Sequence, residues 1–104
     1  MENVGFDPLK VNGNIHIKTF NHNLETNKSD FTESDSLDSE FHDFAIAWRE
    51  ENIDFLFDDI CYFTFNKESR YGEDEWPFNS PQYLLINLGV DGFWGFAKTR
   101  LTTC

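Results

Sequence analysis

The sequence predicts an all-β protein with the architecture of an antiparallel β-sandwich or jelly roll, and three observations support this. Apolar side chains recur at every second position along most of the apolar segments, which is the period of a half-buried strand. Aromatic residues make up 17% of the 104 residues, with 12 Phe among them, and aromatic side chains are enriched in strands. The sequence shows neither an amphipathic helical period nor an internal repeat. Five or six strands joined by hairpin turns are typical of this architecture.

The N-terminal third contains one alternating segment and one polar segment. Residues 11–20 alternate two apolar with two polar side chains: Ile15 and Ile17 against His16 and Lys18. Residues 22–40 are rich in Ser, Asp, Glu and Asn and have no hydrophobic period. We therefore predict a strand in the first segment and a long surface loop in the second, with one short strand near Phe31.

The middle of the chain predicts three strands. Residues 41–49 alternate, and one face carries four side chains: His42, Phe44, Ile46 and Trp48. We predict that Trp48 packs in the core with its neighbours on that face. Two β-rich runs follow a turn at 50–52, and Asp58-Asp59 separates them as a hairpin turn would. These two runs are residues 53–58 and 60–65.

The C-terminal third combines polar loops with one strongly apolar segment. Residues 66–75 form a polar loop, and two prolines in 76–82 exclude a central strand there. A Ser-Pro dipeptide can start a helix, so a helix at 80–84 stays an open alternative. Residues 83–90 are continuously apolar except for one Asn, which predicts a strand buried on both faces. A Gly-rich turn region closes the chain.

Composition and charge exclude several classes of partner. The formal net charge is −11 and the isoelectric point is near 4.4. Such a surface repels the phosphates of nucleic acids and of anionic membranes, whereas a neutral ligand such as a sugar is not disfavoured. No apolar stretch approaches the roughly 18 residues of a membrane span. The first residues show no basic segment followed by an apolar one, so we expect no signal peptide in this chain.

The cysteines and the acidic residues do not form metal-binding patterns. Cys61 and Cys104 lack a metal-ligand spacing, and we predict that Cys61 is a small buried hydrophobe. A disulfide between the two remains open. The acidic run 30–43 lacks the spacing of a calcium loop and is interpreted as a solvated loop. We therefore expect neither a metal nor a cofactor.

Three segments, in the same order, resemble the β-sandwich glycoside hydrolases of family 16, the laminarinase and β-glucanase group. FHDFAIAWREENIDFLFDDICYFTF (41–65) resembles the family pattern F-H-x-Y-A-I-x-W, a turn, and I-x-F-x-V-D-G-x-x-Y-x-T. NIHIKTFNHNLET (14–26) resembles T-x-H-T-x-A-Y-N-H. EWPFNSPQYLLINLGVDGFWG (75–95) resembles W-P-F-x-x-P-F-Y-L-I-L-N-L-A-V-G-G-x-W-G-G. The resemblance implies a jelly roll and retaining hydrolysis of O-glycosyl bonds in a β-glucan.

The resemblance covers nearly all of the chain, but the chain corresponds to only about the C-terminal half of the family domain. It implies an incomplete β-sandwich domain over residues 1–96 and a divergent tail over 97–104. Three positions that are glycine in the family pattern carry other residues here. They are Asp59 at the glycine of the D-G hairpin, Asp91 at the first glycine of the G-G pair and Phe96 at the last glycine of W-G-G. Parent enzymes of this type are usually secreted.

The family signature E-x-D-x-x-E implies a catalytic role for Glu2. The resemblance aligns Met1 and Glu2 with the last two letters of the signature, so Glu2 corresponds to the general acid/base. The other two carboxylates, one of them the nucleophile, would lie three and five residues upstream of Glu2. We therefore expect this chain alone to be inactive. The alternative for Glu2 is an exposed terminal carboxylate.

Four further side chains are candidate substrate-binding residues by the same resemblance: His16, Trp76, Asn87 and Trp94. The alternatives are a half-exposed strand histidine, a structural amide and, for the tryptophans, core packing. The implied partner is a β-glucan polysaccharide or oligosaccharide, and uncovered strand edges imply self-association. Two other functions stay open: a non-catalytic carbohydrate-binding sandwich and an acidic interaction domain.

Overall fold

The computed structural model describes residues 1–89, apart from the side chain of His22, and shows two three-stranded antiparallel sheets. The elements, in chain order, are β1 Glu2–Val4, β2 Asp7–Ile15, a 3₁₀ turn at His22–Leu24, β3 Lys28–Glu33, β4 Phe44–Trp48, β5 Asn52–Phe57 and β6 Ile60–Asn66. The first sheet has the order β1-β2-β3 and the second β4-β5-β6. The predicted all-β class is confirmed. No helix in this part of the chain is long and apolar enough to cross a membrane.

The first sheet is regular between β2 and β3 and irregular between β1 and β2. The β2–β3 pairing runs without a shift from Lys10 opposite Glu33 to Ile15 opposite Lys28. The short strand predicted near Phe31 is therefore confirmed as β3. β2 begins at Asp7 and ends at Ile15, so the predicted strand 11–20 was placed too late. The chain turns after Ile15, where the Ile17 amide donates to the Phe20 carbonyl at 2.8 Å.

The second sheet contains the predicted two-residue hairpin. Phe57 pairs with Ile60, and Asp58 and Asp59 between them have φ angles of 49° and 67°. Two successive left-handed residues match the right-handed twist of the flanking strands, and Asp tolerates this conformation better than most residues do. A bulge in β6, opposite Phe55 and Leu56, then leaves Tyr62 without a partner in the ladder.

The core lies between the two sheets and continues into the loop after β6. Seven apolar side chains are buried: Val11, Ile15, Ile53, Phe55, Phe57, Phe65 and Trp76. The sheets approach closely at Gly13, where an added Cβ would lie 3.1 Å from Cδ1 of Phe55. Trp76 stacks on Phe65 with a 5.3 Å centroid separation and meets the edge of Phe78. Non-polar burial therefore concentrates on β5 and the second half of β2.

One apolar segment and one tryptophan that were predicted to be buried are exposed. Residues 83–89 form no strand, and the five large apolar side chains between Tyr83 and Leu88 are 67–91% exposed. The prediction of a doubly buried strand is wrong for this structure, because no strand among residues 1–89 pairs with this segment. Trp48, predicted to be in the core, is 44% exposed because no described element covers its side of β4.

One smaller prediction also fails, and one alternative that the sequence left open is not adopted. Cys61 is exposed rather than buried, since it lies on β6 beside the Thr64 hydroxyl, 3.4 Å away. No helix starts at 80–84, where the chain is irregular. The Gly-rich region after residue 90, the tail at 97–104 and the pairing of Cys61 with Cys104 lie outside the described residues.

Candidate functional site

Glu2 lies on the outer face of the first sheet. It pairs with Asn12 on β2, and the Asn12 side-chain amide lies 3.5 Å from the Glu2 carbonyl oxygen. The alternate β2 residues, Val11 and Gly13, are buried against the second sheet. Because successive strand residues point to opposite faces, Glu2 and Asn12 point away from the core. The half-buried Glu2 carboxylate is therefore on the side of the sheet that a ligand could approach.

Asn3 fixes the position of Glu2. The register jumps between Glu2 opposite Asn12 and Val4 opposite Asp7, which removes regular ladder bonds. The Asn3 side-chain amide replaces them by donating to the carbonyls of Pro8 and Lys10 at 2.8 and 2.9 Å. One amide thus satisfies two carbonyls in the irregular stretch, which holds the short edge strand β1 in place. Sequence reasoning did not single out Asn3, because its role depends on this irregular pairing.

His16 lies beyond the end of β2. It is exposed and lies one residue past Ile15, the last residue of β2. Four residues separate it from Asn12, which is roughly 13 Å along an extended chain. The strand register therefore does not pair His16 with Glu2, whose partner on β2 is Asn12.

Two of the other predicted site residues, Trp76 and Asn87, lie outside the first sheet. Trp76 is 2% exposed, and its stacking on Phe65 fits the core-packing alternative rather than contact with a sugar. Its indole N–H is buried and has no hydrogen-bond partner among the described residues. Asn87 is exposed in the irregular segment 83–89. Trp94 lies outside the described residues.

Phe31 is a residue of this face that sequence reasoning did not select. It pairs directly with Asn12 from the β3 side, so Glu2, Asn12 and Phe31 form one row across the first sheet. The Phe31 ring is 49% exposed, and the Lys10 ammonium lies 4.1 Å from its centroid. Lys10 is also held by Asp7 at 3.0 Å. The row therefore combines a carboxylate, an amide and an aromatic ring, with an ammonium group over one face of the ring.

A separate polar cluster connects the loop before β4 to the β5–β6 turn. His42 Nδ1 lies 2.6 Å from the Asp58 carboxylate, and Nε2 lies 3.0 Å from the Ser36 carbonyl. The hydrogen bond to Asp58, followed by that to Ser36, raises the pKa of His42 above 6.5. The Asp43 backbone amide, followed by His42, lowers the pKa of Asp58 below 3.8. The protonated imidazole donates to both acceptors, so the cluster fixes the entry to β4.

A second polar cluster lies on the outer face of the second sheet. Asp54 accepts hydrogen bonds from the Thr64 hydroxyl at 2.7 Å and from the Arg49 guanidinium at 2.5 Å. These two donors, with Thr64 the larger influence, lower the pKa of Asp54 below its usual range. The cluster is satisfied internally, which fits a structural role. Among residues 1–89, no group of three His, Cys, Asp or Glu side chains is placed to hold a metal ion.

Comparisons with known proteins match the sequence-based resemblance. The family described as "Glycosyl hydrolases family 16" matches residues 1–103. A beta-glucanase from Rhodothermus marinus is 38% identical over 100 residues, which cover 91% of this chain and 35% of that protein. The chain thus spans about a third of the length of this relative.

Solved structures show the same fold. The laminarinase from Rhodothermus marinus superposes with a TM-score of 0.72 and 33% identity, covering 75% of this chain and 33% of that one. A mutant of SCLam, a non-specific endo-beta-1,3(4)-glucanase, has a TM-score of 0.70 and 30% identity, covering 73% of this chain and 30% of that one. That mutant presents 1,3-beta-D-cellobiosyl-glucose at its active site. The predicted family resemblance is confirmed.

Proposed function

The chain belongs to glycosyl hydrolase family 16, and from this premise we propose that it supplies part of the active site of a retaining β-glucan hydrolase. The observation that supports this most is the position of Glu2. Its carboxylate lies on the outer face of the first sheet, in one row with an amide and an exposed aromatic ring. A substrate bound on this face would have a proton donor beside it.

Glu2 acts in this proposal as the general acid/base, by its place in the family signature. A retaining mechanism also needs a nucleophilic carboxylate about 5–5.5 Å from the acid/base. The signature contributes no other carboxylate to this chain, because its first Glu and its Asp would precede Met1. We propose that the 104-residue chain alone does not hydrolyse β-glucan, since the covalent step has no nucleophile.

Two other residues remain candidates for substrate contact. His16 is exposed just past the end of β2, where a sugar unit bound further along this strand would meet it. Asn87 is exposed, so its amide is available to a ligand that approaches the segment 83–89. Trp94 keeps its proposed role by resemblance alone.

A chimera tests this function. We would replace the matching segment of the Rhodothermus marinus beta-glucanase with this chain and measure reducing-sugar release from laminarin. We expect hydrolysis by the chimera, none by the isolated chain, and at least about a hundredfold lower activity for Glu2→Gln in the chimera. With an aryl β-glucoside oligomer as substrate, the Glu2→Gln chimera should lose less activity, because a good leaving group departs without being protonated.

Glu50→Gln, at an exposed glutamate in the β4–β5 turn, is the matched control and should keep full activity. Hydrolysis by the isolated chain would contradict the missing-nucleophile proposal. A fully active Glu2→Gln chimera would remove Glu2 from the mechanism.

A non-catalytic carbohydrate-binding protein is the second candidate function. The exposed Phe31 ring and the neighbouring Lys10 ammonium favour it, because neither needs a second carboxylate to bind a sugar. Retention of the chain on insoluble β-1,3-glucan without sugar release, together with an inactive chimera, would support this function over the first.

We also propose that the isolated chain self-associates. The large apolar side chains on β4 and in 83–88 are more than 40% exposed, and within residues 1–89 the outer strands of both sheets have unpaired edges. Size-exclusion chromatography with light scattering should detect oligomers, and Ile46→Lys should shift them toward the monomer. A monomeric wild-type chain that unfolds cooperatively would contradict this proposal.

A further inference from the structure

We propose that the row Glu2, Asn12 and Phe31 forms a glucosyl-binding subsite in which the Phe31 ring is the stacking platform. The inference rests on the proposed function for the choice of a β-glucan as ligand. The strand register carries it, because Asn12 on the central strand pairs with Glu2 on one side and with Phe31 on the other. Directly opposed residues of antiparallel strands project from the same face.

The geometry of this row suits a pyranose ring. The two strand spacings between Glu2 and Phe31 place their Cα atoms roughly 10 Å apart. A sugar on Phe31 would therefore lie beside the Glu2 carboxylate rather than on a remote surface. No described core contact accounts for the exposed half of the ring, since the buried aromatic cluster lies on the other side of β2.

The chemistry around Phe31 matches a neutral polyol. The C–H face of a sugar packs on an aromatic π surface, and its hydroxyls accept from ammonium and amide donors. The Lys10 ammonium lies over one face of the ring, 4.1 Å from its centroid, and Asn12 supplies an amide in the same row. The Lys10–Asp7 ion pair restrains the ammonium on that face, so a sugar would stack on the opposite face. The net charge of −11 disfavours an anionic ligand at a site with one ammonium group.

The test measures binding of laminaritriose, a β-1,3-linked glucose trimer, to the 104-residue chain by isothermal titration calorimetry. Phe31→Leu keeps an apolar side chain but removes the ring, and we expect about tenfold weaker binding. Phe31→Tyr keeps the ring and should bind like the wild type. Phe44→Leu is the matched control, because Phe44 is 50% exposed on the second sheet and should not affect binding.

Far-UV circular dichroism of each variant verifies that the strands are retained. Unchanged affinity of a folded Phe31→Leu chain would overturn the subsite while leaving the proposed substrate in place. Equal losses for Phe31→Leu and Phe44→Leu would overturn it too, by showing a general effect of apolar substitution. No binding by the folded wild-type chain would overturn the subsite, whereas the proposed function fails separately through an inactive chimera.

Discussion

Strands β4 and β5 are neighbours with the same alternation of apolar residues, but their apolar side chains differ in exposure. Three side chains of β4 and three of β5 face each other in register: Phe44 opposite Phe57, Ile46 opposite Phe55, and Trp48 opposite Ile53. All six project from one face of the second sheet. The three on β5 are 5–8% exposed, whereas the three on β4 are 44–55% exposed.

The difference comes from what covers each strand. The first sheet lies over β5, where Gly13 allows its backbone to approach Phe55 and Tyr62. No described element lies over β4. Alternation along a strand therefore determines which side chains share a face, and burial depends on a second layer that the strand itself does not encode. The strongly apolar segment 83–88, exposed in the same way, follows the same rule.

The largest expected difference in stability is between alanine substitutions of the paired residues Phe57 and Phe44. Phe57→Ala should lower the free energy of unfolding by about 3–5 kcal/mol, because it leaves a cavity in a covered site. Phe44→Ala should lower it by about 1 kcal/mol or less, since half of its ring already contacts solvent. Urea unfolding followed by circular dichroism measures both values. Equal losses would show that β4 is as well covered in solution as β5.

The alternation, hairpin and family pattern of the second sheet were all predictable from the sequence, because each depends on residues close in the chain. Phe31 was not identified as a site residue, because its alignment with Glu2 depends on the β1–β2 pairing that Asn3 supports. The core role of Trp76 depends on Phe65, which lies across a loop. The features that could not be predicted are therefore those that depend on how distant strands pair and on which element covers each strand.

Gly13→Ala tests the layer that covers β5. The new Cβ would lie 3.1 Å from Phe55 and 3.2 Å from two Tyr62 atoms, so the two sheets must separate slightly. Overpacking costs about 1–3 kcal/mol, and the reduced freedom of the unfolded chain offsets roughly 0.5–1 kcal/mol of it. We expect a net loss of about 1–2 kcal/mol in urea unfolding. Gly72→Ala, whose Cβ would make only an ordinary 3.7 Å contact, should change stability by less than about 0.5 kcal/mol.

Tyr62→Phe tests the same interface in the opposite direction. The Tyr62 hydroxyl is buried without a hydrogen-bond partner among residues 1–89, and burial raises the pKa of Tyr62 to about 12. Removing an unsatisfied hydroxyl should stabilise the fold by about 1 kcal/mol. An increased urea midpoint with an unchanged slope would support this, and a decreased midpoint would show that the hydroxyl has a partner in solution.

The smallest expected effect concerns how β4 is held where no layer covers it. The His42–Asp58 hydrogen bond fastens the entry to β4 to the β5–β6 turn. The raised pKa of His42 gives stability that is complete below about 6.5 and is lost as pH rises through the folded-state pKa. The lowered pKa of Asp58 gives stability that is complete above about 3.8 and is lost as pH falls. The contribution should therefore be largest between these two values.

Melting temperatures of the wild type and His42→Asn, compared from about pH 4 to pH 9, measure this contribution directly. The difference should be largest near pH 5 and should shrink as His42 loses its proton. Asp58→Asn should abolish the same difference without adding to it, because the two side chains act as one pair. Asp59→Asn, in the same turn, should leave the profile unchanged. A difference that grows toward pH 9 would mean that the neutral imidazole, rather than the ion pair, holds β4 against β5.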